Sequence, residues 1–153
     1  AQSSNAAKAE GAKRRLELGG RPLALVATTL DGKSLDTRSL EGRVVVIHYW
    51  ASWSEPSVRD MAILRDLQIK YGTQVALVGI NVDVDPGLAT KVVQENRYSW
   101  PHLYSEGGME SQLANQLGVV SVPMMIVVDA MGKVVKTGVH SAELGAVVTG
   151  LVK

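Results

Sequence analysis

The chain has no cysteine among its 153 residues. This absence excludes disulfide bonds and thiolate metal sites, and it removes the usual indication of a redox compartment. The formal net charge is only +1, so no excess of positive charge points to a nucleic-acid or membrane-surface partner. The three histidines lie in separate segments without the spacing of metal ligands. We therefore expect no metal site and no cofactor.

Long apolar runs are also missing, since none reaches the roughly 18 residues that a membrane-spanning helix needs. No secretory signal is present, and the chain begins at Ala1 without a methionine. We therefore expect a processed protein or one domain of a longer one, with an upstream domain or a membrane anchor. The composition predicts a mobile start up to Glu10 and a weak helix from about Lys8 to Leu18.

The length suits one domain with a sizeable core. We divide the chain into a flexible or helical N-terminal linker over residues 1–19 and a folded domain over residues 20–153.

The residues that suggest a functional site are concentrated in one stretch, where a predicted strand is followed by the start of a predicted helix. Val44–Trp50 is a β-branched apolar run of the kind that fills a strand buried on both faces. Beyond Trp53, two serines, Ser54 and Ser57, flank a Glu-Pro pair at the predicted helix start. A helix N-terminus that follows such a strand faces outward, so we expect the chemistry of this protein here.

Hydrophobic periodicity and turn residues predict further elements on both sides of this corner. Strands are predicted over residues 23–29, 33–36, 44–50, 75–82, 98–104, 124–129 and 133–139, and helices over residues 54–71, 86–96, 109–117 and 141–153. The turn dipeptide Asp31-Gly32 joins the first two strands into a hairpin. A β-α-β crossover makes the first two long strands parallel, and the terminal hairpin adds antiparallel strands. These features predict an α/β fold with a mixed central β-sheet flanked by helices on both faces.

Residues 49–57 resemble the Phe-Trp-Ala-x-Trp-Cys-x-x-Cys signature of thioredoxin-fold proteins, with both cysteines replaced by serine. The Glu-Pro pair is similar to the ResA-like branch of the TlpA family of extracytoplasmic thiol-disulfide oxidoreductases. Residues 31–33 with 40–45, and residues 118–123 with 127–134, resemble two further segments of that family. The resemblance covers roughly residues 20–153. It implies a thioredoxin fold with an N-terminal β-hairpin extension and an extracytoplasmic location.

The family reaction is dithiol–disulfide exchange on protein substrates. The resemblance assigns the position of the attacking cysteine to Ser54 and that of the resolving cysteine to Ser57. A serine hydroxyl has no thiolate-like state near neutral pH and forms no disulfide, so we expect the chain as written to be redox-inactive. Two explanations stay open. Either the serines replace a native cysteine pair, or the gene encodes a natural non-redox relative.

The resemblance also implies a binding groove. It places a cis Val122–Pro123 bond opposite the motif, in a loop that pairs with the backbone of a bound peptide in relatives. Trp53, Glu55 and Pro56 complete the expected binding site. The alternative function is therefore a non-catalytic module that docks a peptide or a partner domain between Trp53 and Pro123.

Several residues have two interpretations each. His48 occupies a strand position where thioredoxins carry a buried acid, so it is either a proton acceptor for the site or a core histidine hydrogen-bonded to a neighbour. Ser54 is a helix cap rather than a nucleophile, because no Gly-x-Ser-x-Gly elbow is present. Asp83 and Asp85 lie at the end of a strand, where ligands often bind in open α/β sheets, but alternating acids before a helix are more often solvated caps. Trp100 either lines the groove or packs against the sheet.

Overall fold

The computed structural model describes residues 4–152, in which seven strands form one mixed sheet between two layers of helices. The strands are β1 (Val26–Thr29), β2 (Ser34–Asp36), β3 (Val44–Trp50), β4 (Val75–Asn81), β5 (His102–Tyr104), β6 (Met124–Val128) and β7 (Val134–Thr137). The helices are α1 (Ser4–Leu16), α2 (Glu55–Tyr71), α3 (Pro86–Asn96), α4 (Gln112–Gln116) and α5 (Ser141–Leu151). The order across the sheet is β2-β1-β5-β4-β3-β6-β7. The predicted α/β fold with a mixed sheet is confirmed.

The strand β3 lies near the middle of the sheet and carries the site at its C-terminal end. It runs parallel to β4 and antiparallel to β6, and all seven of its residues are buried. Its side chains alternate between two core clusters, with Val46 and Trp50 in one and Ile47 and Tyr49 in the other. A strand that is covered on both faces needs the continuous apolar run that its sequence shows.

Two layers of helices complete the two clusters. Met61 and Leu64 of α2 and Leu144 of α5 pack in the first cluster, while Leu113 of α4 packs in the second. The β1–β2 hairpin turns at Gly32, whose positive φ of 83° suits a glycine, and it joins the sheet through β5. This is the N-terminal hairpin that the sequence predicted.

Several predicted elements differ in extent, and the strand predicted over residues 98–104 begins only at His102. The predicted helix over residues 109–117 is divided at Ser111, where a 3₁₀ turn ends and the hydroxyl accepts a hydrogen bond from the N–H of Ala114. The predicted first strand begins only at Val26, because Leu23 instead donates its N–H to Gly132 O beside β7. The helix predicted over residues 141–153 begins at Ser141 and ends at Leu151, with His140 as its N-cap.

The first described helix begins earlier than predicted and is docked. Residues from Ser4 onward are helical, whereas the sequence predicted mobile residues up to Glu10. A Cβ on Gly11 would lie 2.0 Å from Asn115 O, so the backbone of α1 approaches the end of α4 closely. The guanidinium of Arg15 donates to Leu117 O (2.8 Å) and Gly118 O (2.9 Å). Residues 1–3 lie outside the described residues, and a linker role for residues 1–19 stays a prediction.

Candidate functional site

The two motif serines are hydrogen-bonded to each other at the N-terminus of α2. Ser54 is the N-cap, and its Oγ accepts from the N–H of Ser57 at 3.3 Å. The Ser57 hydroxyl donates to Ser54 Oγ at 2.8 Å, and the Ser54 hydroxyl donates to Val122 O at 3.4 Å. Both side chains are buried. The prediction of Ser54 as a helix cap is confirmed, and within residues 4–152 no basic side chain is hydrogen-bonded to either hydroxyl.

The residues around the serines differ widely in exposure. Trp53 is 63% exposed although it is a large aromatic residue, whereas Trp100 is only 4% exposed and packs in the core. Glu55 is exposed and pairs with Arg59 at 3.0 Å on the same helix face. Of the two tryptophans weighed for the groove, only Trp53 is therefore available there.

The loop opposite the motif has the form that the resemblance implies. The Val122–Pro123 bond is cis, and both residues are half-buried. Pro123 and Pro56 both line a small hollow of about 190 Å³. Asp60 lies at its wall and is buried, and this burial raises the pKa of its carboxyl although a hydrogen bond from Ser141 acts against it.

His48 lies in the sheet core below the corner. It is fully buried, and neither ring nitrogen has a hydrogen-bond partner among the described residues. His48 is therefore a core histidine, as one interpretation held, but the hydrogen bond to a neighbour that this interpretation included is absent among the described residues. Burial lowers the pKa of His48 to about 3, with a smaller contribution from His102, so the ring is neutral near pH 7. A proton relay through His48 stays a prediction.

A second buried histidine fixes the first tryptophan of the motif. The indole N–H of Trp50 donates to His102 Nδ1 at 3.2 Å. Because Nδ1 accepts, Nε2 carries the proton and donates to Tyr98 O at 3.2 Å. A Cβ at Gly79 would lie 2.2 Å from His102 Nδ1, so a glycine is required there. Burial lowers the pKa of His102 to about 4.

The structure corrects the interpretation of one carboxylate, Asp83. It is buried rather than a solvated cap, and it accepts from the N–H and the hydroxyl of Ser52 at 2.9 and 2.7 Å. The amide of Asn81 donates to the same carboxylate at 2.8 Å. This network anchors the corner between Trp50 and Trp53. By contrast, Asp85 caps α3 as predicted, through Gly87 N at 2.8 Å.

Two further features bear on function. Within residues 4–152, no group of histidine and acidic side chains has the arrangement of a metal site. None of the helices in the same range is both long and apolar enough to cross a membrane.

A mixed sheet with a capped motif at the end of its central strand, facing a proline loop, defines a thioredoxin-fold protein. A family model described as Redoxin matches residues 7–149, and the chain belongs to this family. The thiol-disulfide oxidoreductase ResA of Bacillus thuringiensis subsp. konkukian is 23% identical over 125 residues, which are 81% of this chain and 70% of ResA. The thioredoxin-like protein YneN of Bacillus subtilis is 30% identical over 53 residues, 35% of this chain and 31% of YneN.

Solved structures agree in fold. A thiol-disulfide oxidoreductase from Bacteroides fragilis superposes with a TM-score of 0.75 at 21% identity, covering 86% of this chain and 98% of that one. A secreted disulfide oxidoreductase from Mycobacterium tuberculosis has a TM-score of 0.68 at 23% identity, covering 92% and 100%. At these identities the structures show the fold alone. The protein is thus a thioredoxin-like member of an oxidoreductase family whose motif carries serines in place of cysteines.

Proposed function

We propose that this domain binds an extended polypeptide in the groove between Trp53 and Pro123 and, as written, exchanges no electrons. The observation that carries the proposal is the exposure of Trp53 beside a proline loop, while the serines behind it are buried and bonded to each other. An aromatic side chain that keeps most of its surface in water, next to a loop at the end of the sheet, is typical of a polypeptide-binding surface. Redox inactivity follows from the absence of sulfur at positions 54 and 57.

The groove is tested by titrating fluorescein-labelled extended peptides and following their anisotropy. We expect Trp53→Ala to weaken binding about tenfold, because the indole supplies the largest apolar contact in the groove. Ile69→Ala is the matched control, since this side chain is 75% exposed on α2 but lies outside the groove. Binding that is equal in Trp53→Ala and the parent protein, or no binding by the parent protein, would contradict the proposal.

A second candidate is the oxidoreductase of which this chain would be a serine form. The distance of 2.8 Å between Ser54 Oγ and Ser57 Oγ favours it, because two sulfur atoms at these positions would lie near bonding distance. The retained tryptophans and the Glu-Pro pair suit the same ancestry. Sequencing the gene at these two codons decides whether the serines are native.

We also propose an extracytoplasmic location, which the description of one structural relative as secreted supports. Protease added to spheroplasts should digest the protein in cells that carry its complete gene, while a cytoplasmic marker stays intact. Protection equal to that of the marker would contradict the location.

A further inference from the structure

Beside the Pro123 loop lies another hollow, which we call the second groove. It has a volume of about 240 Å³ and lies between the end of α1, the loop and β7. Its apolar lining consists mainly of Leu16, Val120 and Met124. Leu16 is 78% exposed and Val120 is 71% exposed. Two large apolar side chains that line the same hollow are therefore in contact with water. Apolar surface of this kind beside a candidate binding loop is a candidate contact for the same partner.

The loop between the two grooves has open backbone groups. Among the described residues, the N–H groups of Val120, Ser121 and Val122 donate no hydrogen bond, although the neighbouring Val119 N–H is bonded to Ala114 O. Ser121 is exposed and Val122 is half-buried. Unpaired backbone groups in an exposed segment are complementary to the backbone of another extended chain.

The wall of the second groove is held rigidly. Arg15, which precedes Leu16, donates to the carbonyls of Leu117 and Gly118 at the start of the loop. The ammonium group of Lys8 donates to Val119 O at 2.7 Å, directly before Val120. The helix α1 therefore fixes both the position of Leu16 and the backbone that leads into the loop.

We propose that α1 is part of the binding site and that the second groove receives one apolar side chain of the bound polypeptide. The inference rests on the proposed function, since the same peptide would lie across Pro123. Alternate residues of an extended chain point to the same face. A peptide whose backbone pairs with the loop, with one apolar side chain near Trp53 and Pro123, would place the residue two positions away opposite Val120. The preferred ligand is thus an extended segment with two apolar residues separated by one residue.

The test uses three labelled peptides in the same Gly/Ser framework, carrying Leu-Ser-Leu, Leu-Leu-Ser or a single Leu. We expect the alternating peptide to bind about tenfold more tightly than the other two, because only it buries both leucines. Leu16→Gln and Val120→Thr should each remove most of this difference by lowering the affinity for the alternating peptide toward that for the single-leucine peptide. Ile69→Gln is the matched control for Leu16→Gln, since both are exposed apolar residues on helices.

The outcomes separate the two proposals. If Trp53→Ala weakens all three peptides but Leu16→Gln and Val120→Thr leave the preference intact, the second groove is refuted and the first stands. If the parent protein binds none of the peptides, or Trp53→Ala changes nothing, the proposed function itself fails. Circular dichroism of each variant shows whether the helix content of the protein is retained.

Discussion

At the scale of single residues, the hydroxyls of Ser54 and Ser57 keep the positions of a redox pair without its chemistry. We expect Ser54→Cys/Ser57→Cys to form a disulfide and to catalyse insulin reduction, because the side-chain oxygens it replaces already lie 2.8 Å apart. The helix N-terminus would also favour a thiolate at position 54. Turbidity of reduced insulin in dithiothreitol measures the gain over the uncatalysed rate.

The single variants are the controls for this experiment. Ser54→Cys alone should form a mixed disulfide with a substrate but should not turn over, since no resolving thiol is present. Catalysis by the unsubstituted protein would contradict its redox inactivity.

Asp83 is a buried carboxylate that anchors the corner between Trp50 and Trp53. We expect Asp83→Asn to lower the free energy of unfolding by about 2 kcal/mol, because one acceptor oxygen is replaced by a donor facing Ser52 and Asn81. Peptide affinity should fall with it, as the corner that carries Trp53 loses its anchor. Urea unfolding and peptide anisotropy measure the two effects.

Asp85→Asn is the matched control for Asp83→Asn. Asp85 is an exposed N-cap, and asparagine caps a helix about as well as aspartate. If both variants lost the same free energy of unfolding, the hydrogen bonds of Asp83 to Ser52 and Asn81 would not be the source of the loss in Asp83→Asn.

At the scale of elements, the periodic segments were predictable and the interruptions were not. The run Val44–Trp50 and the stripe of α2 follow directly from apolar spacing. The break at Ser111 did not, because a serine within an apolar pattern caps a new helix only when its backbone leaves the helical region, here with ψ of 160°. The docking of α1 was equally hidden, since it depends on Gly11 and on basic side chains that reach distant carbonyls.

The candidate site likewise has a part that the sequence predicts and a part that it does not. The serine motif and the loop at Pro123 could be identified from local sequence. The burial of Asp83 and the Trp50–His102 contact could not, because both join residues from different strands of the sheet. An Asn-x-Asp sequence at the end of a buried strand was the only indication of the first.

The close approach of α1 to the end of α4 can be tested by replacing a glycine with alanine at Gly11 and, as a control, at Gly145. We expect Gly11→Ala to lower the free energy of unfolding by about 2 kcal/mol, because the added Cβ meets the backbone of the α4 end. Gly145→Ala in α5 should instead raise it by about 1 kcal/mol, since nothing lies within 4 Å and alanine favours a helix. Thermal unfolding measures both. Changes of the same sign would contradict the docking of α1.

At the scale of the whole molecule, two buried neutral histidines link folding to pH. The pKa of His48 is lowered to about 3 and that of His102 to about 4, whereas in the unfolded chain both bind protons below about pH 6.5. The unfolded state therefore binds more protons in acid, and the free energy of unfolding falls as the pH drops from about 6.5 toward 4. For each histidine the slope approaches about 1.4 kcal/mol per pH unit. Asp60, whose pKa is raised, acts in the opposite direction.

Urea unfolding of His48→Leu across this range tests the origin of the slope. The variant removes one proton-binding group and sacrifices no hydrogen bond, since both ring nitrogens of His48 lack a partner among the described residues. We expect its slope to be about half that of the parent protein. His140→Asn, at an exposed position, should retain the full slope. An unchanged slope in His48→Leu would exclude His48 as its source.

The short segment before β1 has a consequence for handling the protein. Gly20 donates to Val134 O and Arg21 accepts from Val134 N, both at 2.8 Å, so this segment covers the start of the edge strand β7. Exposed edges of sheets pair readily with other chains. A fragment that begins after Leu23 would expose the edge of β7 and should aggregate during purification. A fragment that begins at or before Gly20 retains the segment that covers this edge.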